Sequence, residues 1–332
     1  MLKFIQKQLR VSTTRNVHFL DYAHESGRYI LTSYPLDSIF TNITSNFTRS
    51  EYFSNHFDGD RTYGNLYCSI GSCNGIVCLA DDHKGLVILW NPSTRKFKEL
   101  PLFEKPYLFY QNHLMTFGFG YDSSKNNYKV VVVLHYEGSL GEVAQVKVHT
   151  LGTNIWRSIQ KYPFGGVSVP VMKGEFVSGT INWLFSKESL WAYPRFIVSF
   201  DLVKESFQKI SPPNLGGMDV CDLSALGVLR DCLCVTTSGD DIWIMKEYGN
   251  KESWTKLFTI PYMRDPSNSR VFAKPVNIFE DDQMLLKFLG DEQSYDSTLV
   301  FYDPRSGTLK DTNFNKIPEV CVESLMSPCS LC

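Results

Sequence analysis

From about residue 17 onward, apolar residues fall in short runs separated by polar turns. Runs of this length with no spacing of three or four read as strands, not helices. The stretch 71–101 shows the pattern most clearly. Asn74-Gly75 precedes the run Ile76–Ala80, a polar break leads to Leu86–Trp90, and Asn91-Pro92-Ser93-Thr94 turns the chain into Phe97–Leu100, which Pro101 stops. Asn-Gly between apolar runs is a strong hairpin signal, because both turn positions need positive φ. Strands without a polar face need cover on both sides, so one such unit predicts neighbours of its own kind.

The neighbours are present. Turn dipeptides recur at Ser26-Gly27, Asn74-Gly75, Asn126-Asn127, Ser178-Gly179, Arg230-Asp231 and Asp281-Asp282, with second members 48, 52, 52, 52 and 51 residues apart. After them come apolar runs at Ile76–Ala80, Tyr128–His135, Thr180–Phe185, Cys232–Thr237 and Met284–Leu289. Third strands follow at Leu86–Trp90, Gln145–Leu151, Ile197–Leu202, Ile242–Glu247 and Thr298–Tyr302. A fourth strand pairs an aromatic with an aliphatic three residues later, as in Phe97/Leu100, Trp156/Ile159, Phe207/Ile210 and Trp254/Leu257. Four short antiparallel strands repeating near every fifty residues predict an all-β chain, a kelch-like β-propeller with six four-stranded blades. The tail, Glu319–Leu325, is expected to join the first blade and cover its open edge. The propeller is expected over residues 17–328, after a short amphipathic helix within 1–16 and before a tail at 329–332.

In such a meander the 1–2 and 3–4 turns share one face, and the 2–3 and 4–1 connections share the other. The 1–2 turns here are tight, whereas the opposite connections are long, for example 102–114, 187–195 and 262–274. Long loops on a rigid scaffold carry recognition, and Tyr, Trp and Arg are the residue types that anchor interfaces. Tyr107, Tyr110, Trp191, Tyr193, Arg195, Tyr262 and Arg264 are therefore the candidate partner-binding residues.

Composition narrows the chemistry. The chain has 332 residues, 43% of them apolar, and a net charge of −2. That balance suits a folded protein and offers no basic field for nucleic acid or an anionic membrane. No apolar run is long enough to span a bilayer. Nine cysteines behind a polar N-terminus, MLKFIQKQLR, point to free thiols in a reducing compartment, cytoplasm or nucleus. Cys68, Cys73, Cys78, Cys232 and Cys234 lack zinc-site spacing and read as strand residues buried in the core. No nucleophile elbow, zinc-binding helix or phosphate loop appears, so neither a catalytic residue, a metal nor a cofactor is expected. Asp81-Asp82, Asp240-Asp241 and Glu280-Asp281-Asp282 could suggest a carbohydrate-acting propeller, but each sits at a predicted turn, where Asp bonds its own backbone.

GSCNGIVCL at 71–79, LWNPSTRKFKELP at 89–101, FGFGYDSSKNNYKVV at 117–131, VHTLGTNIWRSI at 148–159, FVSGTINWL at 176–184, FIVSFDLVKESFQKI at 196–210, ALGVLRDCLCV at 225–235 and FYDPRSGTLK near 301–310 together resemble the F-box-associated interaction domain of plant F-box/kelch-repeat proteins. VCVESLMSP at 320–328 resembles the family's terminal strand, and the matching order spans roughly 65–328. The resemblance implies a module that selects target proteins for ubiquitination, joined through an F-box to a Skp adaptor and a cullin. Only FIQKQL at 4–9 resembles the trailing end of an F-box, with Gln8 where His is common. This chain is accordingly expected to bind a target protein and to bind Skp weakly or not at all, which leaves an adaptor-free recognition propeller as the alternative.

Overall fold

A computed structural model describes residues 15–23, 28–41, 47–53, 68–81, 85–105, 113–138, 141–159, 169–170, 173–186, 195–215, 223–237, 240–260, 272–289, 297–312, 314 and 318–329. Its strands, in chain order, build six antiparallel sheets, and no α-helix occurs among the described residues. The chain opens with β1 (Arg15–Ala23), β2 (Arg28–Pro35) and β3 (Thr48–Phe53). The second sheet is β4 (Cys68–Cys73), β5 (Ile76–Asp81), β6 (Leu86–Asn91) and β7 (Lys96–Glu99). The third is β8 (His113–Asp122), β9 (Asn127–Gly138), β10 (Gly141–Thr150) and β11 (Trp156–Ile159). In the fourth, β12 (Val169–Pro170) and β13 (Glu175–Val177) share the first place, ahead of β14 (Thr180–Ser186), β15 (Arg195–Asp201) and β16 (Ser206–Ile210). The fifth is β17 (Leu223–Leu229), β18 (Cys232–Thr237), β19 (Asp241–Met245) and β20 (Trp254–Thr259). The sixth is β21 (Phe272–Ile278), β22 (Met284–Leu289), β23 (Ser297–Asp303) and β24 (Thr308–Asp311), and β25 (Pro318–Val322) ends the series.

β25 pairs antiparallel with β1, from Arg15↔Val322 to Phe19↔Pro318, so the first sheet runs β25-β1-β2-β3. The expected closure by the tail is therefore present, but it changes the register of the first blade. β25 takes the first place, and β1 and β2 take the second and third. Ser26-Gly27, itself outside the described residues, thus falls between second and third strands and is not the counterpart of Asn74-Gly75. The helix expected near the N-terminus also lies outside the described residues.

The chain divides into two compact units, residues 1–105 with 149–156 and 317–332, and residues 106–148 with 157–316. In the first unit, Val77, Leu79, Leu86, Ile88 and Trp90 pack with Leu31 and Cys321. β25 lies beside β4, where Ser72 Oγ donates to the Val320 carbonyl at 2.9 Å. The Asn74-Gly75 turn has φ of 50° and 80°, and a Cβ on Gly75 would lie 2.1 Å from that of Ser324. Glycine is therefore required there both by backbone conformation and by the chain end lying on it.

In the second unit the first strands stand in succession, β8 next to β13, β13 next to β17, and β17 next to β21. Val131, Val133, Val146 and Val148 of the third sheet meet Ile181, Trp183, Phe185, Val198 and Phe200 of the fourth. Each such side chain contributes about 1.5–3 kcal/mol on full burial. The Trp183 indole donates to the Phe117 carbonyl at 3.0 Å, so β8 approaches that ring closely. The second and third strands of most sheets are buried as the continuous apolar runs require, with β5, β6 and β14 buried at every position, whereas the fourth strands are largely exposed, β24 at every position.

Candidate functional site

The two ends of the sheets are built differently. At the end bearing the tight turns, short polar side chains close the backbone. Asn91 Oδ1 accepts from the amides of Ser93 and Thr94 at 2.8 and 3.1 Å. Asp201 Oδ1 does the same for Val203 and Lys204 at 2.8 and 2.9 Å, and Asp303 Oδ1 accepts from Arg305 at 2.9 Å. Arg95, Glu205 and Gly307 then take positive φ to reverse the chain. Arg230-Asp231 behaves like the other 1–2 turns, with φ of 49° and 58°, even though arginine is an unusual choice there.

Of the acidic clusters, Asp281-Asp282 lies in the tight turn between β21 and β22, whereas Asp81 and Asp240-Asp241 lie at the opposite end, between second and third strands, and Asp82 lies outside the described residues. Asp81 is buried at the end of β5, Asp240 and Asp282 have positive φ, Asp241 accepts from Thr259 Oγ1 at 2.7 Å, and Asp281 caps the Gln283 amide at 3.3 Å. Among the described residues no group of three or more His, Cys, Asp or Glu is placed to hold a metal ion.

The opposite end carries the long connections. Tyr107, Tyr110, Trp191, Tyr193, Tyr262 and Arg264 lie outside the described residues. Arg195 is described, and it is not a loop residue. It begins β15 opposite Ser186, is 4% exposed, and donates to the carbonyls of Ser224 and Leu223 at 2.9 and 3.4 Å. Its guanidinium holds the start of β17, which removes it from the candidate contact surface. Its position directly before an apolar run was the available signal, since a charged strand residue between sheets needs carbonyl partners.

Cysteine placement is mixed. Cys73, Cys78, Cys234 and Cys321 are buried, and burial pushes their thiols up, Cys321 to about 12. Cys232 is half-buried. Cys68, expected inside, is exposed because it is the first residue of β4, at the margin of its sheet.

Buried charge is what the sequence pattern does not reveal. In the second unit, Lys129 is fully buried and pairs with Asp122 at 2.8 Å and Glu205 at 2.9 Å, and Arg157 reaches Glu205 at 2.7 Å. Burial pushes the Asp122 carboxyl up, but hydrogen bonds from Lys129, Ser124 and the Lys125 amide outweigh it and hold the pKa at about 2. In the first unit, His18, Ser33 and Glu319 are neighbours on β1, β2 and β25, with His18 Nδ1 2.6 Å from Ser33 Oγ. Burial lowers the His18 pKa to about 4 against the opposing pull of Glu319, so the ring is neutral near pH 7. Lys173, Glu175, Lys274 and Lys287 form a further group in the second unit.

Six antiparallel sheets with four strand places each, most of them closed by tight turns at one end, define the class of the fold, an all-β propeller. The chain belongs to the F-box associated beta propeller domain family, whose model matches residues 29–328. It is 29% identical over 310 residues to F-box/kelch-repeat protein At3g23880 of Arabidopsis thaliana, covering 91% of this chain and 79% of that one. It is 28% identical over 295 residues to F-box protein CPR1 of the same plant, covering 78% and 68%. Among solved structures, the β-propeller domain of the Trilobed protease from Pyrococcus furiosus aligns with a TM-score of 0.46 and 10% identity, over 91% of this chain and 82% of that one.

Proposed function

We propose that this chain is a target-recognition module of an SCF-type (Skp-cullin-F-box) ubiquitin ligase, acting in the cytoplasm or nucleus. It holds a target protein on the end of the propeller that carries the long connections, and it makes and breaks no bonds itself. Membership of the F-box associated propeller family carries this reading, and the asymmetry between tightly closed turns and long connections supports the choice of face. Tyr107, Tyr110, Trp191, Tyr193, Tyr262 and Arg264 are the proposed anchors. Arg195 is omitted because it is buried.

The test is comparative affinity purification from plant tissue. Wild type is set against a variant with Tyr107, Tyr110, Trp191, Tyr193, Tyr262 and Arg264 changed to Ala, and against Lys204→Ala with Arg305→Ala at the turn end. A protein captured by wild type and by the turn variant, lost from the loop variant, and confirmed by binary binding is the expected target. Ubiquitination of that protein when Skp and cullin components are supplied would support the ligase reading and overturn the expectation of weak Skp binding. Equal capture by all three chains would refute the assignment of face, and binding without ubiquitination would favour an adaptor-free recognition propeller.

A further inference from the structure

Lys287, in the middle of β22, is a buried amine without an acceptor. It is 5% exposed, and among the described residues it has neither a hydrogen bond nor an ion pair. Lys129 shows what a satisfied core lysine looks like, reaching Asp122, Glu205 and the Leu202 carbonyl. Lys287 Nζ is nevertheless not one of the unpartnered polar atoms shut off from solvent, so the tip of its side chain meets water. Across the sheet, Leu299 of β23 lies opposite it on one side and Lys274 of β21 on the other. Opposite residues leave the same face with Cβ atoms about 4.5–5.5 Å apart, so the two lysine stems lie together. Lys274 in turn pairs with Glu175 of β13.

An ammonium largely kept from water without a counter-charge is unfavourable, and the neutral amine is preferred. Burial first, and then the like charges of Lys274 and Lys173, lower the Lys287 pKa to about 7. Lys173 has an interaction of its own and is not counted in the site. The acids of the same sheet lie elsewhere: Asp303 ends β23, and Asp311 is exposed on β24 opposite Val300. A desolvated lysine beside a second cation is a nucleophile at neutral pH. Because only its tip is open, the electrophile that reaches it must be small and uncharged. Lys274 decides which product the site would hold. An ammonium has three donors, and among the described residues only Glu175 accepts from Lys274. The remaining donors suit an anion formed at Lys287 Nζ.

We propose that Lys287 is a carbamylation site, where carbon dioxide adds reversibly to Nζ and the Lys274 ammonium, held by Glu175, binds the carbamate. The Nζ lone pair forms the new bond to the carbon of CO2, one C=O π pair moves onto oxygen, and a proton leaves Nζ for water. In sum, R–NH2 and CO2 give R–NH–COO− and H+. Nothing is oxidised or reduced, and no further reactant is needed. An amine without a partner thus becomes an anion with a cation beside it. The site does not depend on the recognition reading, because its residues lie on β13, β21 and β22 and not in the long connections.

The test equilibrates the full chain with carbon-13 bicarbonate and CO2 at about pH 7.4, where roughly one exposed lysine in a thousand is neutral. Triethyloxonium tetrafluoroborate then converts any carbamate into a stable ethyl ester, which peptide mass spectrometry locates. The label on Lys287 should exceed that on exposed Lys204 about tenfold or more. A carbamate resonance in the carbon-13 spectrum should accompany it and vanish when CO2 is purged. Lys287→Met keeps the bulk of the side chain without the amine and should abolish that resonance. Lys274→Arg retains a cation and should keep most of the label. Lys274→Met should lower the label several-fold, although removing a like charge leaves the Lys287 amine more often neutral; an amine that is merely reactive would respond in the opposite sense. The proposal fails if native wild type carries no label on Lys287, or no more there than on Lys204. A label that rises in Lys274→Met overturns the part assigned to Lys274.

Discussion

The indole N–H of Trp254 donates to the main-chain carbonyl of Ser211, 2.9 Å away and 43 residues earlier. Trp156 makes the equivalent bond to Pro101 at 2.6 Å. In both cases the first residue of a fourth strand is tied to the segment leaving the fourth strand of the preceding sheet. The aromatic that recurs at this place therefore has a polar task as well as an apolar one.

Trp254→Phe keeps a ring and removes the donor. The expected loss is about 1 kcal/mol, near the net worth of one hydrogen bond, which in a chain of this size lowers the thermal midpoint by roughly 1–2 °C. Trp156→Phe should act alike. Calorimetric midpoints of the two variants, indistinguishable from wild type, would show that the bonds add nothing.

Lys129 joins Asp122 and Glu205 inside the second unit, and losing one partner of a buried pair leaves charge without compensation. Lys129→Met should cost about 3–5 kcal/mol in denaturant unfolding. Adding Asp122→Asn should recover part of that, because the stranded carboxylate goes with it. A double-mutant cycle with no coupling would argue against the network.

Acid should weaken the fold in two stages. His18 and His135, lowered by burial from 6.5 to about 4, stay neutral in the fold while the unfolded chain binds protons. Stability is therefore full above about 6.5 and falls by up to about 1.4 kcal/mol per pH unit for each histidine as pH drops toward 4. Asp122 follows, its contribution lost as pH falls from its ordinary 3.8 toward 2. Thermal midpoints measured between these limits should decline, and His18→Gln should flatten the upper stage. A level wild-type profile contradicts the assignment.

A Cβ on Gly118 would stand 2.3 Å from Ile181 Cγ2 and 2.9 Å from Trp183 Cζ2. Gly118→Ala should destabilise by about 2 kcal/mol or more through overpacking. Ile181→Ala in the same chain opens space and should return part of the loss. Equal stabilities of Gly118→Ala and wild type would mean that the third and fourth sheets have room to separate.

The linear sequence determined most strand positions and the turn chemistry. Cys232–Thr237 and Met284–Leu289 coincide with β18 and β22, and other expected strands differ from those observed mainly at their ends. Turn residues such as Asn74-Gly75 act on their own backbone, and an apolar run is recorded in consecutive positions, so both can be read locally. The tertiary structure alone decided that β25 holds the first place beside β1, that Arg195 is turned to the carbonyls of Ser224 and Leu223, and that Lys129 has both Asp122 and Glu205 as partners. Each of these depends on what lies across from a residue, 29 positions away for Arg195 and Ser224 and 307 for Arg15 and Val322, and nothing in the local pattern specifies which side chain or carbonyl will fill that place.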